Sequence, residues 1–239
     1  MTALVALVAG ALGSVGERSA IALADAGAAV SLLAAQPDQL DVTIKEIQTG
    51  GGTAIPIGCD VTDHRQTRQA VDRTVAELGR LDVVVSNIGL TLFAEIEDAQ
   101  VEDWHRMLAV NLAGTLHLAH AAVPHLVAAA SGDRGVADFI GIGSAASRDI
   151  EAGAAAHRAT QDGLASYLAG LQQELAPRHV RVALLECDAV DPLPPPEART
   201  HPHITNSPLL RPDDVADAVR YMATRPTGMS IAHLRVTGT

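Results

Sequence analysis

What most constrains this chain is an alternation that runs along its whole length. Short β-branched runs at 3–9, 28–33, 53–57, 81–86, 136–142, 180–185 and 231–236 are separated by longer stretches of helical period near 14–26, 38–49, 63–78, 101–130, 152–176 and 212–224. Antiparallel strands need only a tight turn between them. Strands separated by helices must instead run parallel, joined by right-handed crossovers that place helices on both faces of a sheet. The pattern therefore predicts a doubly wound α/β fold. The 239 residues are enough for one large core, and residues 1–239 read as one domain. One irregular stretch interrupts the alternation at about 188–212, where Pro192, Pro194, Pro195 and Pro196 preclude regular structure. It reads either as a lid over a site or as a surface excursion.

Composition narrows the function classes. Aromatic residues make up 2% of the chain, so the core must be aliphatic and base-stacking platforms are not expected. The net charge of −11, with no basic run, lacks the footprint of a nucleic-acid partner. Cys59 and Cys187 have no metal-ligand spacing, and His179, His201, His203 and His233 lack acidic partners, so no metal is expected. Two cysteines make no disulfide framework in a chain this long, which fits a reducing, cytoplasmic setting, and the apolar start, with no basic n-region and soon broken by Glu17, Arg18 and Asp25, reads as a buried strand. The Ala-rich segment 118–130 carries His120, Pro124 and His125, so no segment after the first strand is expected to be long and apolar enough to span a bilayer.

The chemistry-bearing residues gather at predicted strand ends, where doubly wound sheets bind ligands. The first strand runs into Ala9-Gly10-Ala11-Leu12-Gly13-Ser14-Val15-Gly16 and then a helix, a turn suited to bring backbone amides against a pyrophosphate. Cys59-Asp60-Val61-Thr62-Asp63 follows the third strand, with Thr62 or Asp63 as helix N-cap, and Ser86-Asn87-Ile88-Gly89 follows the fourth. Asn111 sits mid-helix, and Gly143-Ser144-Ala145-Ala146-Ser147 closes the fifth strand.

This order and spacing resemble the short-chain dehydrogenase/reductase family from end to end, including Thr227-Gly228 before the last strand. The resemblance implies one seven-stranded parallel Rossmann-type sheet of strand order 3-2-1-4-5-6-7 and an NAD(P) site. In that site Gly10, Gly13, Ser14 and Gly16 face the pyrophosphate, Asp60 and Val61 the adenine, and Asn87 and Gly89 line the cleft. It also implies that Asn111 and Ser144 belong to a catalytic set, and that the helices at 101–130 and 152–176 and the last strand build dimers or tetramers.

The departures from the family pattern are specific. The family's Tyr-x-x-x-Lys falls on His157-Arg158-Ala159-Thr160-Gln161, replacing a phenol and an ammonium that share one helical face by an imidazole and a neutral amide. Tyr167 lies about 15 Å farther along that helix at roughly 1.5 Å per residue, and Lys45, far upstream, is the only lysine. Ser14 stands where the family has a glycine that admits the phosphates, and Cys187-Asp188 replaces a Pro-Gly beside the nicotinamide. The second strand ends in Leu33-Ala34-Ala35-Gln36, which selects neither NAD nor NADP.

Three functional readings follow, and each keeps Ser144, His157, Asn111 and Gln161 at its centre. The first is a non-catalytic subunit with weak or absent dinucleotide binding, associated with itself or with a competent relative. The second is a non-redox enzyme for elimination, cyclisation or isomerisation of a small molecule, with His157 and Ser144 in acid–base roles and Asp149 or Glu151 as orienter. The third is an NAD(P)-dependent oxidoreductase in which His157 replaces the tyrosine.

Overall fold

In a computed structural model the chain is described over residues 4–145, 152–191 and 209–239. The elements in order are β1 (Val5–Ala9), α1 (Ser14–Asp25), β2 (Ala29–Ala34), α2 (Asp41–Thr49), β3 (Ala54–Gly58), α3 (His64–Leu78) and β4 (Val83–Ser86). There follow α4 (Val101–Met107), α5 (Gly114–Ala130), β5 (Ala137–Ser144), α6 (Ala155–Leu175), β6 (Val180–Cys187), α7 (Pro212–Ala223) and β7 (His233–Val236). All seven strands form one parallel sheet in the order β3-β2-β1-β4-β5-β6-β7. The order reverses direction between β1 and β4, which opens a crevice at their C-terminal ends.

Alternation along each strand divides the core in two. From β1, Ala6 and Val8 face a layer shared with α1, α2 and α7, while Leu7 and Ala9 face α3, α5 and α6. Both layers are almost wholly aliphatic, and Phe139 is the largest fully buried side chain.

Several sequence expectations change in detail. Residues 37–40 form a 3-10 turn before α2, and the long C-terminal helix starts at Ala155 rather than 152. The stretch 101–130 is not uniformly α-helical: Leu108–Ala113 is a π-helical segment between α4 and α5. It is also long and apolar enough to span a bilayer, with a mean hydropathy of 1.2 in its most apolar window. That overturns the expectation drawn from 118–130 alone, because His120, Pro124 and His125 do not interrupt the rod. Its buried face of Leu118, Ala119, Ala122 and Leu126 packs within the second core layer, as a core helix does. Most of the proline-rich stretch, including Pro192, Pro194, Pro195 and Pro196, lies outside the described residues, as do Asp149, Glu151, His201 and His203. Its two ends are tied by a parallel bridge between Val190 and Leu210, with Asp191 N–H donating to the Leu210 carbonyl at 2.8 Å.

At the opposite end of the strands from the crevice, charge is buried and fully engaged. Asp138 accepts from Arg134 at 2.7 Å and from Arg181 at 2.6 and 2.8 Å. Arg181 then donates to the carbonyls of Arg225, Pro226 and Met229, which fastens the segment between α7 and β7 to the sheet. Removing the carboxylate leaves two guanidinium groups facing each other in a dry site. Asp138→Ala should therefore lower unfolding stability by about 3–5 kcal/mol, read as a shift in the urea midpoint.

Candidate functional site

The crevice is a cleft of about 620 Å³ that begins at the turn after β1. Gly10 takes φ +75°, and a Cβ there would collide with the carbonyl of Asn87 at the end of β4. A Cβ on Gly16 would strike the Gly10 carbonyl in the same way. Asn87 completes the lock: its backbone N–H donates to Ala9 at 3.0 Å and its side-chain amide to the Gly10 carbonyl at 3.1 Å. No side chain caps α1, whose first amides are left for an outside anion. Gly13 and Ser14 line the cleft at that helix start, and the Ser14 side chain is half-buried there.

Asp60, Val61 and Gly89 also line the cleft. The Asp60 carboxylate accepts from the Thr62 backbone at 2.9 Å and from its hydroxyl at 2.7 Å, so it shapes the turn into α3 as well as the cleft wall. The N-cap of α3 is Asp63, which accepts from Arg65 and Gln66; these bonds to its charged form hold its carboxyl below the usual range. Val61 packs over Gly114, and its carbonyl meets His117 Nδ1 at 3.1 Å.

The structure brings Asn111, Ser144, His157 and Gln161 into one neighbourhood, though not as a single hydrogen-bonded set. Asn111, fully buried in the π-helical segment, accepts from Leu90 N–H at 2.6 Å and donates to Leu90 O at 2.8 Å and to the Thr160 hydroxyl at 3.1 Å. Thr160 in turn donates to the His157 carbonyl at 2.6 Å. Gln161 Oε1 accepts from Ser144 N–H at 3.0 Å, which ties α6 to the end of β5.

His157 is 6% exposed, and its ring takes no part in this chain of contacts. Its Nε2 meets Thr91 Oγ1 at 3.3 Å, Phe93 lies edge-on at 5.5 Å, and Nδ1 is buried without a hydrogen-bond partner. Burial pushes the imidazole pKa below its ordinary value. Sequence reasoning did not single out Thr91, Phe93 or Thr160; for Thr91 the only signal was its place two residues past Gly89. Beyond β6 the Asp188 carboxylate is paired with Arg235 at 3.3 Å, so its charge does not stand alone. Burial drives the neighbouring Cys187 thiol up to about 11, which keeps it protonated. Among the described residues no group of three or more His, Cys, Asp or Glu side chains could hold a metal ion.

Residues 4–194 match the short chain dehydrogenase family, more than three quarters of the chain. This chain belongs to that family. Among its relatives, an uncharacterised oxidoreductase of Staphylococcus aureus is 29% identical over 99% of this chain and 97% of its own. The (-)-trans-carveol dehydrogenase of Rhodococcus erythropolis is 33% identical, covering 87% of this chain and 73% of that one. A metagenomic short-chain oxidoreductase solved in complex with NADP superposes with a TM-score of 0.83 at 29% identity, over 99% of this chain and 97% of that one. Among short-chain dehydrogenases, then, this one keeps the seven-stranded sheet of its relatives.

The buried imidazole makes stability depend on pH in a definite direction. Its folded pKa lies below the ordinary 6.5, so between the two values the unfolded chain binds more protons than the folded one. The contribution is present above 6.5 and is lost as pH falls from there toward the folded value. Urea midpoints of the wild type should drop across that interval more than those of His157→Phe, which lacks the titrating group.

Proposed function

We propose that this short-chain dehydrogenase is a non-catalytic member of its family, which holds a nicotinamide dinucleotide weakly through its adenine half and acts as a subunit paired with itself or with a competent relative. The observation that carries the reading is the state of His157 and Gln161. The imidazole is buried, its pKa is lowered by desolvation, and its Nε2 meets Thr91. The Gln161 amide oxygen is committed to the Ser144 backbone and brings no charge. A hydride-transfer site of this family's type needs a group that exchanges a proton with the substrate oxygen and a cation that lowers its pKa. Neither side chain offers that, and the single lysine lies in α2.

The cleft fits a dinucleotide best at its start. The Gly10 cradle would be filled by any Cβ, the uncapped amides of α1 suit a pyrophosphate, and Asp60 and Val61 form the wall expected beside the adenine. Such a cofactor supplies hydride to family members that use it. Here the Ser14 side chain at the first helical position crowds the phosphates, which supports weak binding. Association is supported by β7, an edge strand whose outer side has no partner among the described residues, and by Val101 and Leu108, each nearly half exposed on the 101–130 rod.

An acid–base enzyme built on a Ser144–His157 pair has less support, because the imidazole meets Thr91 rather than Ser144. NADPH titration by fluorescence should give weak, saturable binding that tightens in Ser14→Gly. No NADPH should be consumed over a panel of ketones and aldehydes, and light scattering should report an oligomer. Steady NADPH oxidation that disappears in His157→Ala would instead establish an oxidoreductase in which His157 replaces the tyrosine.

A further inference from the structure

We infer that Thr91 is a ligand-positioning residue: its hydroxyl, oriented by His157 behind it, donates a hydrogen bond to an oxygen at the nicotinamide end of a dinucleotide in the cleft. The inference rests on the proposal that this cleft takes such a dinucleotide, and it assigns a contact that the glycine turn and Asp60 do not provide.

The argument starts from the imidazole's two nitrogens. Nδ1 is buried with no hydrogen-bond partner, and Nε2 has one, the Thr91 hydroxyl at 3.3 Å. A neutral imidazole carries one proton, and the two tautomers are not equivalent here. A proton on Nδ1 would bury an orphaned N–H, the rarer and costlier kind of unsatisfied group, whereas a proton on Nε2 finds Thr91 Oγ1 as its acceptor. The Nε2–H form is thus favoured, and Nδ1 keeps only an unused lone pair. With Nε2–H donating, Thr91 Oγ1 is an acceptor toward the ring and its own hydrogen must point elsewhere. Thr91 is exposed and lines the cleft, so that hydrogen is directed into it.

The direction is held rather than free. Asn111 fixes both backbone groups of Leu90, the residue immediately before. Ala94 N–H donates to Gly153 O at 3.2 Å, which pins the loop just beyond, and Phe93 closes edge-on against the imidazole. A hydroxyl with a fixed acceptor side and a fixed backbone is a preorganised donor, and preorganisation is where a single neutral hydrogen bond retains most of its value in binding. The same tautomer leaves His157 without a lone pair facing Thr91, which argues against Thr91 as a nucleophile with a histidine base.

The test compares wild type, Thr91→Val and Thr91→Ser by NADPH fluorescence titration, with ADP as a probe of the adenine half alone, and reads the His157 tautomer by nitrogen-15 NMR. Thr91→Val should weaken NADPH about three- to tenfold, the loss of one neutral hydrogen bond. Thr91→Ser should stay within about twofold of wild type, ADP binding should not move in either variant, and His157 should show the Nε2–H form. Unchanged NADPH affinity in Thr91→Val, an equal loss for ADP, or an Nδ1–H tautomer each overturns the inference. Wild type that binds ADP but not NADPH also overturns it while leaving the adenine half intact. Binding of neither probe removes the dinucleotide reading itself, and this inference with it.

Discussion

The close approach of Gly10 to Asn87 is the contact on which the rest of the cleft depends. In a doubly wound sheet the crossovers leave β1 and β4 in opposite directions, so the chain ends at their C-termini must diverge without leaving backbone groups unpaired. Here the turn after β1 passes directly against the peptide of Asn87, a path that only a residue without a side chain and with a positive φ can take. Asn87 then returns its side-chain amide to the Gly10 carbonyl. Gly16 lies against the same carbonyl, so the start of α1 is seated by the same lock. The wall of the cleft at the start of α1 is therefore a product of packing, and none of its contacts depends on the other end.

That other end is organised separately. Asn111, Leu90 and Thr160 bind the π-helical segment, the loop after β4 and the first turns of α6 into one unit, and none of these bonds involves residue 157 or 161 through its side chain. The scaffold of the site can therefore stand with an imidazole in place of a phenol. The imidazole packs against Thr91 and Phe93, where burial lowers its pKa. Gln161 finds a use in place of charge by accepting the Ser144 N–H.

Much of this was legible in the sequence because parallel sheets impose a strong code. β1, β2, β4 and β6 are buried on both faces, so they read as largely aliphatic runs broken only at Ser31, Ser86, Arg181, Glu186 and Cys187, and their order followed from the family resemblance. The motif residues landed at strand ends because loops there are short. What was not legible depends on contacts between distant segments. The π-helical segment has the same apolar period as the α-helix around it, so nothing local marks its boundaries. The span-like character of 101–130 was missed because the Ala-rich half was judged without the half before it. The pairing of Asp188 with Arg235, and of His157 with Thr91, joins residues 47 and 66 positions apart, which no local pattern encodes. The position of His157 was readable; the direction its ring would face was not.

The charge distribution separates what holds the fold from the residues around 157 and 161. The demanding electrostatic cluster, Asp138 with Arg134 and Arg181, sits at the N-terminal ends of the strands, as far from the cleft as the sheet allows. It anchors β5, β6 and the approach to β7 through carbonyls of residues 223–229. Substitutions at 157 and 161 neither unpair a buried charge nor empty a core position of this cluster, so their effect on stability is local. A tyrosine–lysine pair places a cation and an ionisable phenol at a cleft wall, an arrangement tuned for chemistry rather than for packing. Here the imidazole at 157 and the amide at 161 bring no permanent cation, and Nδ1 of His157 is buried without a hydrogen-bond partner. Among the described residues that nitrogen shares its lack of a partner only with Ser19 Oγ, and the tautomer proposed for His157 follows from it, because a buried N–H without an acceptor is costlier than an unused lone pair.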